Sequence, residues 1–518
     1  MIHRSCMLLF RRIHPRLNVG SLIHARSCSA KATAQQQIGQ VSRDQRLLGQ
    51  PTPKSHPHVM KDGELMPGIN ISEFRERRSS FASILRHQAS QYFKDAENHL
   101  VVIPAAPQAY MSQKVPYVYR QNSDFLYLSG CLETDSVLVM VIPQKSSDHR
   151  TILFMRERNA HSELWDGPRT GVHEAPKLFE VDEALPIEQF NQYLASHAKS
   201  TPGFMLWYDF RQPIDLKVHQ ILSSFVSDVA HSVAKMWMSP RKLIHELRVI
   251  KSPAEQVLMR KSCQIASKAI ETTIATSHPG ISEHELFATV DFHSRMNGAE
   301  YLAYLPVVAG GERANIIHYI NNSQIVNDGE LVLMDAGCEY HSYSSDITRT
   351  WPVSGQFSSK QREVYEALLS VQMELISILS KHPSLDSLFS TMCQLLAVRL
   401  REIGLISSKI TSKQDLSQAA YSFCPHHVSH YLGMDVHDTE LVERKIPVIP
   451  GMVVTVEPGI YIKKDNMKVD PELRGMGIRI EDDILITEKG IENLTAMCAK
   501  HPDEIEKLFK QKSSRKVV

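Results

Sequence analysis

No two of the chain's eight cysteines are spaced as CxxC. Their positions, 6, 28, 131, 263, 338, 393, 424 and 498, suggest neither a zinc knuckle nor a disulfide frame, so free thiols in a reducing compartment are expected. Long apolar runs are also missing. None approaches the roughly 18 residues that cross a bilayer, and stretches such as Val137–Ile142 suit buried strands. No solenoid-type repeat is present. Acids are absent from residues 1–43, which hold seven Lys or Arg. Beyond them lie 51 basic residues against 57 acidic ones, although the whole chain carries a net charge of +1. A mildly acidic body has no electrostatic footprint for nucleic acid. What remains, 42% hydrophobic and 22% charged over 518 residues, is an ordinary globular composition with room for two or three domains.

The acid-free start carries Arg4, Arg11, Arg12, Arg16 and Arg26, with Leu8, Leu9 and Phe10 among them. This is the composition of a mitochondrial transit peptide, assigned to 1–43. Residues 44–69 read as an irregular, proline-containing leader. Residues 70–245 read as an α/β domain, in which LVVIPAA, SVLVMVIP, TILFM and GFMLWYD are strand-like, as is the stretch VPYVYRQNSDFLYLSG. Asp124 and Trp165 in this region read as structural. A second domain, 250–500, opens with capped helices: Ser252, Pro253 and Glu255 form one capping box, Ser282 and Glu285 another. Residues 501–518 read as a charged tail.

The stretch Leu331–Thr350 reads as two paired strands with an acid on each arm, Asp335 and Asp346. His430, Glu457 and Glu481 follow in strand- or glycine-framed settings. Glu481 interrupts a run of alternating isoleucines, where an ionised acid is costly without a cation. Four carboxylates in one cleft need positive charge or raised pKa values. Two divalent metals supply it, and a hydroxide shared between them is nucleophilic near neutral pH. Oxygen ligands with one imidazole suit Mn²⁺ or Co²⁺ better than structural zinc.

DAG at 335–337, SDITRT at 345–350, HHVSHYLGMDVHD at 426–438, VEPGIYI at 456–462 and RIEDD at 479–483 together resemble the pita-bread metallopeptidases. With QNSDFLYLSG at 121–130, the chain resembles aminopeptidase P, and Leu47–Pro53 with the Arg-rich start is similar to the mitochondrial type of that family. The resemblance spans roughly residues 47–500. It implies an α+β protein, an N-terminal α/β domain followed by a C-terminal pita-bread (creatinase/aminopeptidase) domain. It implies metal ligands Asp335, Asp346, His430, Glu457 and Glu481, with Asp346 and Glu481 bridging two divalent ions, manganese by preference. Glu457 would also handle the water's proton. His318 and His437 would bind the scissile carbonyl and the oxyanion, Arg479 would orient a ligand carboxylate, and His426 and Tyr461 would line the pocket. His427 departs from the family's glycine, which would narrow the pocket or add a donor.

The activity implied is release of the N-terminal residue from peptides with proline second and a free N-terminus. A homodimer is implied, with Trp165 able to line a neighbouring subunit's cleft, and a mitochondrial location, with the cytoplasm as a second one. No nucleic acid and no membrane insertion are expected. The alternatives are trimming of imported proteins without a proline requirement, a dipeptide-only prolidase, and a non-catalytic binding module.

Overall fold

Phe74, Phe81, Ala82, Leu85 and Ala89 recur at helical spacing and are buried along one face of α1 (Ile71–Tyr92). The computed structural model describes residues 47–93, 97–201, 203–229 and 237–514. The expected transit peptide, 1–43, lies outside the described residues. In the stretch read as a leader, Gln50 is buried and donates to the carbonyl of Gly130. After α1 come β1 (Asn98–Pro104), α2 (Ser123–Ser129), β2 (Val137–Pro143), β3 (Arg150–Met155), β4 (Glu183–Pro186), β5 (Phe204–Trp207) and β6 (Trp237–Met238). The six strands form one mixed sheet in the order β6-β5-β1-β2-β3-β4. Its apolar runs are buried on both faces. Leu100 and Val102 point into one core, Val101 and Ile103 into the other.

The segment QNSDFLYLSG is not a strand. Asn122 caps it as α2, its side chain accepting from the Phe125 N–H at 2.9 Å. Gly130 closes the helix at φ 65°, where an added Cβ would meet Leu65 at 2.3 Å. All seven residues of α2 are buried, so the apolar run that suggested a strand is a helix without a wet face.

The second half opens with α3 (Arg241–Arg248), α4 (Pro253–Thr276) and α5 (Glu283–Met296), and α4 and α5 carry the capping boxes expected from sequence. Then follow β7 (Val307–Gly310), β8 (Leu331–Ala336), β9 (Ile347–Pro352), α6 (Ser359–Leu379), α7 (Leu385–Glu402) and α8 (Lys413–Phe423). The last strands are β10 (Val453–Val456), β11 (Gly459–Tyr461), β12 (Gly477–Arg479), β13 (Asp482–Thr487) and β14 (Gly490–Asn493). β7-β8-β9 and β10-β13-β14 are antiparallel sheets, and β11-β12 is a two-stranded ladder. The helices cover one face of these strands. Residues 502–514, part of the stretch read as a tail, form a helix with Ile505 buried.

The two halves share a core. The cluster containing Val101 and Phe125 continues through Leu258, Met259, Leu432 and Val453. Buried ion pairs add to the joint: Arg248 of α3 donates to Asp124 of α2 at 2.5 Å and to Asp438 of the second half at 2.5 Å. Asn122→Ala removes the α2 cap and is expected to cost about 1 kcal/mol in denaturant unfolding. An unchanged midpoint would show that the cap contributes nothing.

Candidate active site

Strand alternation sorts the second half into two faces. Met334 and Ala336, Ile347 and Trp351, Val454 and Val456, and Ile478 and Ile480 all enter the helical core. Their neighbours therefore point the other way, into one cavity: Asp335, Asp346, Thr348, Thr455, Glu457, Arg479 and Glu481. β8 and β9 pair so that Asp335 lies opposite Thr348. Gly337 lets the chain turn close behind the site, because a Cβ there would fall 1.7 Å from the Ser345 carbonyl oxygen, beside Asp346. The paired strands expected over 331–350 are present, with a smaller hairpin between them.

His426 and His430, spaced four apart, do not stack on a helix. α8 ends at Phe423, and Val428–Leu432 runs extended along β10, with Leu432 N–H donating to Val453, Thr455 N–H to His430 and Glu457 N–H to Val428. His430 Nδ1 lies 3.1 Å from the Tyr431 carbonyl. A carbonyl only accepts, so Nδ1 carries a proton and Nε2 is the nitrogen turned to the acids. Nε2 lies 3.4 Å from Asp346 and 3.6 Å from Glu457. Ligand atoms of Asp346, His430 and Glu481 all lie within 4.8 Å of one another. Asp335 joins them through Tyr304, whose hydroxyl is 2.6 Å from Asp335 and in contact with Asp346. One phenolic proton cannot serve two carboxylates, so without a cation an acid here must hold a proton. Burial and the nearby Asp335 push the Asp346 carboxyl well above the usual range. Burial and Asp346 do the same to Glu481, and burial raises Glu457. Among the described residues, Glu481 Oε1 is buried with no hydrogen-bond partner. An oxygen-rich donor set with one imidazole and an orphaned carboxylate oxygen fits divalent cations.

The remaining candidates surround this cluster. Arg479 donates to Asp335 and to the Tyr461 hydroxyl, both at 2.7 Å. Tyr461 lies 3.0 Å from His426 Nε2, and His426 Nδ1 is 2.9 Å from the His427 carbonyl. The His437 ring meets His430 edge-on, centroids 4.5 Å apart. Burial and the neighbouring His430 and His318 pull its pKa down to about 4, so it is neutral at pH 7. His318 is exposed at the rim. His427 points away from the cavity: it stacks on Phe389 at 5.0 Å, with Nδ1 2.7 Å from the Ser429 carbonyl. Adjacent residues of an extended chain face opposite sides, so it neither narrows the pocket nor offers it a donor. Trp165 is 76% exposed on the short helix Ala160–Asp166, not in the core.

Sequence reasoning missed Tyr304, Thr348, Asp483 and the clamp on the His437 loop. Asp483 accepts the Asp346 N–H at 3.0 Å. Asp438 is held by Arg248 and by Lys251 at 3.0 Å, and Asp435 by Arg248 at 2.7 Å. The runs SDITRT and RIEDD carried the signal for Thr348 and Asp483. Nothing in the local sequence singles out Tyr304.

Residues 257–488 match the family described as "Metallopeptidase family M24", and residues 74–207 match "Aminopeptidase P, N-terminal domain". The chain is 40% identical over 501 residues to a Homo sapiens protein called Xaa-Pro aminopeptidase 3, covering 96% of this chain and 97% of that one. It is 38% identical to an Arabidopsis thaliana protein called intermediate cleaving peptidase 55, mitochondrial, covering 90% and 88%. A zinc-substituted Escherichia coli aminopeptidase P in complex with product superposes with a TM-score of 0.77 at 34% identity, covering 87% of this chain and all of that one.

The electrostatics make a pH prediction. An acid whose folded pKa is raised keeps its proton after the unfolded chain, with values near 4, has lost its own. Metal-free protein therefore loses stability as pH rises through that window. A cation displaces those protons, so the rise in Tm on adding Mn²⁺ is expected to grow between pH 5 and pH 7. A Mn²⁺-induced shift that is constant with pH, measured by scanning calorimetry, would contradict this.

Proposed function

The chain belongs to metallopeptidase family M24, in its aminopeptidase P branch, and on that premise we propose that it is a metal-dependent aminopeptidase releasing the N-terminal residue from peptides with proline second. One observation carries the reading: ligand atoms of Asp346, His430 and Glu481 lie within 4.8 Å of one another, with Glu481 Oε1 left unpartnered among the described residues. Asp335, Asp346, His430, Glu457 and Glu481 would hold two divalent ions, with manganese favoured by the oxygen-rich donor set. Bound there, the ions supply Lewis acidity and make a water nucleophilic near neutral pH. Glu457 accepts that water's proton. His437, neutral because its pKa lies near 4, donates one N–H to the scissile carbonyl, and His318 supports the developing oxyanion from the rim. Arg479 holds Asp335 in place, and His426 and Tyr461 form the adjoining pocket wall.

The X-Pro bond has no N–H. A site that grips the free amine beside Asp335 does not need one. The specific alternative is trimming of imported proteins without a proline requirement, supported by the 38% identity to the intermediate cleaving peptidase. A mitochondrial address rests on that relative's name and on the acid-free segment 1–43. The proposed domains are the transit peptide 1–43, leader 44–69, N-terminal domain 70–245, catalytic domain 250–500 and terminal segment 501–518, supported by the family matches at 74–207 and 257–488. A homodimer is supported by apolar side chains left in solvent on the hairpin around Tyr110, Met111 and Val118, and by Leu164 and Trp165.

Tripeptides of the form X-Pro-X should be cleaved, their N-acetylated versions resisted, and dipeptides not required. Equal turnover of the acetylated peptide would remove the aminopeptidase reading. Efficient cleavage of peptides starting Tyr, Leu or Phe and lacking proline would favour the trimming enzyme. Asp346→Ala should abolish turnover together with metal retention. His437→Ala should lower kcat/KM by about 10²- to 10³-fold at unchanged metal content, and a variant that loses metal instead would reassign His437.

A further inference from the structure

Asp346, just before β9, and Thr348 and Thr350 within it alternate on the cavity face. Thr350 uses its hydroxyl on the backbone of Arg479, accepting from its N–H at 3.2 Å and donating to its carbonyl at 3.0 Å. That is ordinary strand-to-strand joinery. Thr348 does something else. Its fully buried hydroxyl lies between two charged side chains, 3.1 Å from Arg479 Nε and 2.7 Å from Glu481 Oε2. An arginine nitrogen only donates. Thr348 Oγ1 therefore accepts from Arg479, and its own proton goes to Glu481.

Arg479 spends its other two nitrogens on Asp335 and Tyr461. Among the described residues no direct hydrogen bond joins Arg479 to Glu481. Thr348 also accepts the Glu481 backbone N–H at 3.1 Å, so main chain and side chain of Glu481 are tied to the same residue. With Oε2 occupied, Oε1 is the oxygen left without a partner among the described residues. A β-branched side chain has a stiff χ1, which suits a group that must hold a fixed direction.

We propose that Thr348 is a positioning residue: it relays the orienting effect of Arg479 to Glu481, so that one guanidinium sets the acids at both ends of the cluster and presents Glu481 Oε1 to the cation. The inference rests on the ligand role proposed for Glu481. Loss of such an outer hydrogen bond typically weakens metal binding by about 10- to 100-fold.

The test compares wild type, Thr348→Val and Thr348→Ser, stripped by chelator and titrated with Co²⁺ by calorimetry, with the visible absorption of the bound Co²⁺ recorded. Thr348→Val is expected to bind the ion about 10- to 100-fold more weakly and with an altered spectrum. Thr348→Ser, which keeps the hydroxyl, is expected to restore both. Wild-type affinity and spectrum in Thr348→Val would overturn the proposal, as would a serine variant as weak as the valine one. Should valine prevent folding, judged by circular dichroism of the stripped protein, Thr348→Ala is the hydroxyl-free variant and the same outcomes decide. Wild-type protein that binds no Co²⁺ at all would instead sink the metal-centre reading, which separates the two failures.

Discussion

Asp335, Asp346, Glu457 and Glu481 share a cavity with one imidazole, and three of the four carboxyls are held above their ordinary range by burial and by one another. Charges of one sign in so little water are unfavourable by several kcal/mol per ion unless they are neutralised. Protons can do this, as the Tyr304 contacts with both aspartates imply for the cation-free cavity. Divalent ions would do it better, because they would also use Glu481 Oε1, which no polar group among the described residues reaches. The same need that makes the cluster expensive as bare protein makes it a cation site.

Everything around the cluster serves to keep those acids where they are. Alternation along β8, β9, β12 and β10 puts apolar residues against the helices and the polar ones into the cavity. Arg479, fully buried, spans from Asp335 to Tyr461 and Thr348. Arg248 and Lys251 fix the loop that carries His437 by pairing with Asp435 and Asp438. Since Arg248 also pairs with Asp124, the N-terminal sheet domain contributes to the geometry of a loop 313 residues further on, counted from Asp124 to His437.

Much of this was legible in the sequence. The capping boxes at Ser252 and Ser282 are local rules and hold as such. Asp335 was legible because it interrupts the apolar strand β8, and Glu457 and Glu481 because they directly follow the buried apolar residues Val456 and Ile480, exceptions that burial makes meaningful. The segment from Gln121 to Gly130 misled because a fully buried helix and a buried strand can both carry an apolar run such as Phe125–Leu128, and only Asn122 and Gly130 mark the ends. His427 misled because its neighbour faces the pocket while it faces Phe389, a distinction that needs the extended backbone to be known. Tyr304 could not be read at all: its partners lie 31 and 42 residues away, and only the folded register brings them together.

The proposed cation pair would lie among Asp335, Asp346, His430, Glu457 and Glu481. Anomalous diffraction at the manganese edge from crystals of the Mn²⁺-loaded protein tests it most directly. Two peaks enclosed by Asp335, Asp346, His430, Glu457 and Glu481 are the predicted result. A cluster empty of anomalous signal, with those carboxyls bonded to one another, would contradict it.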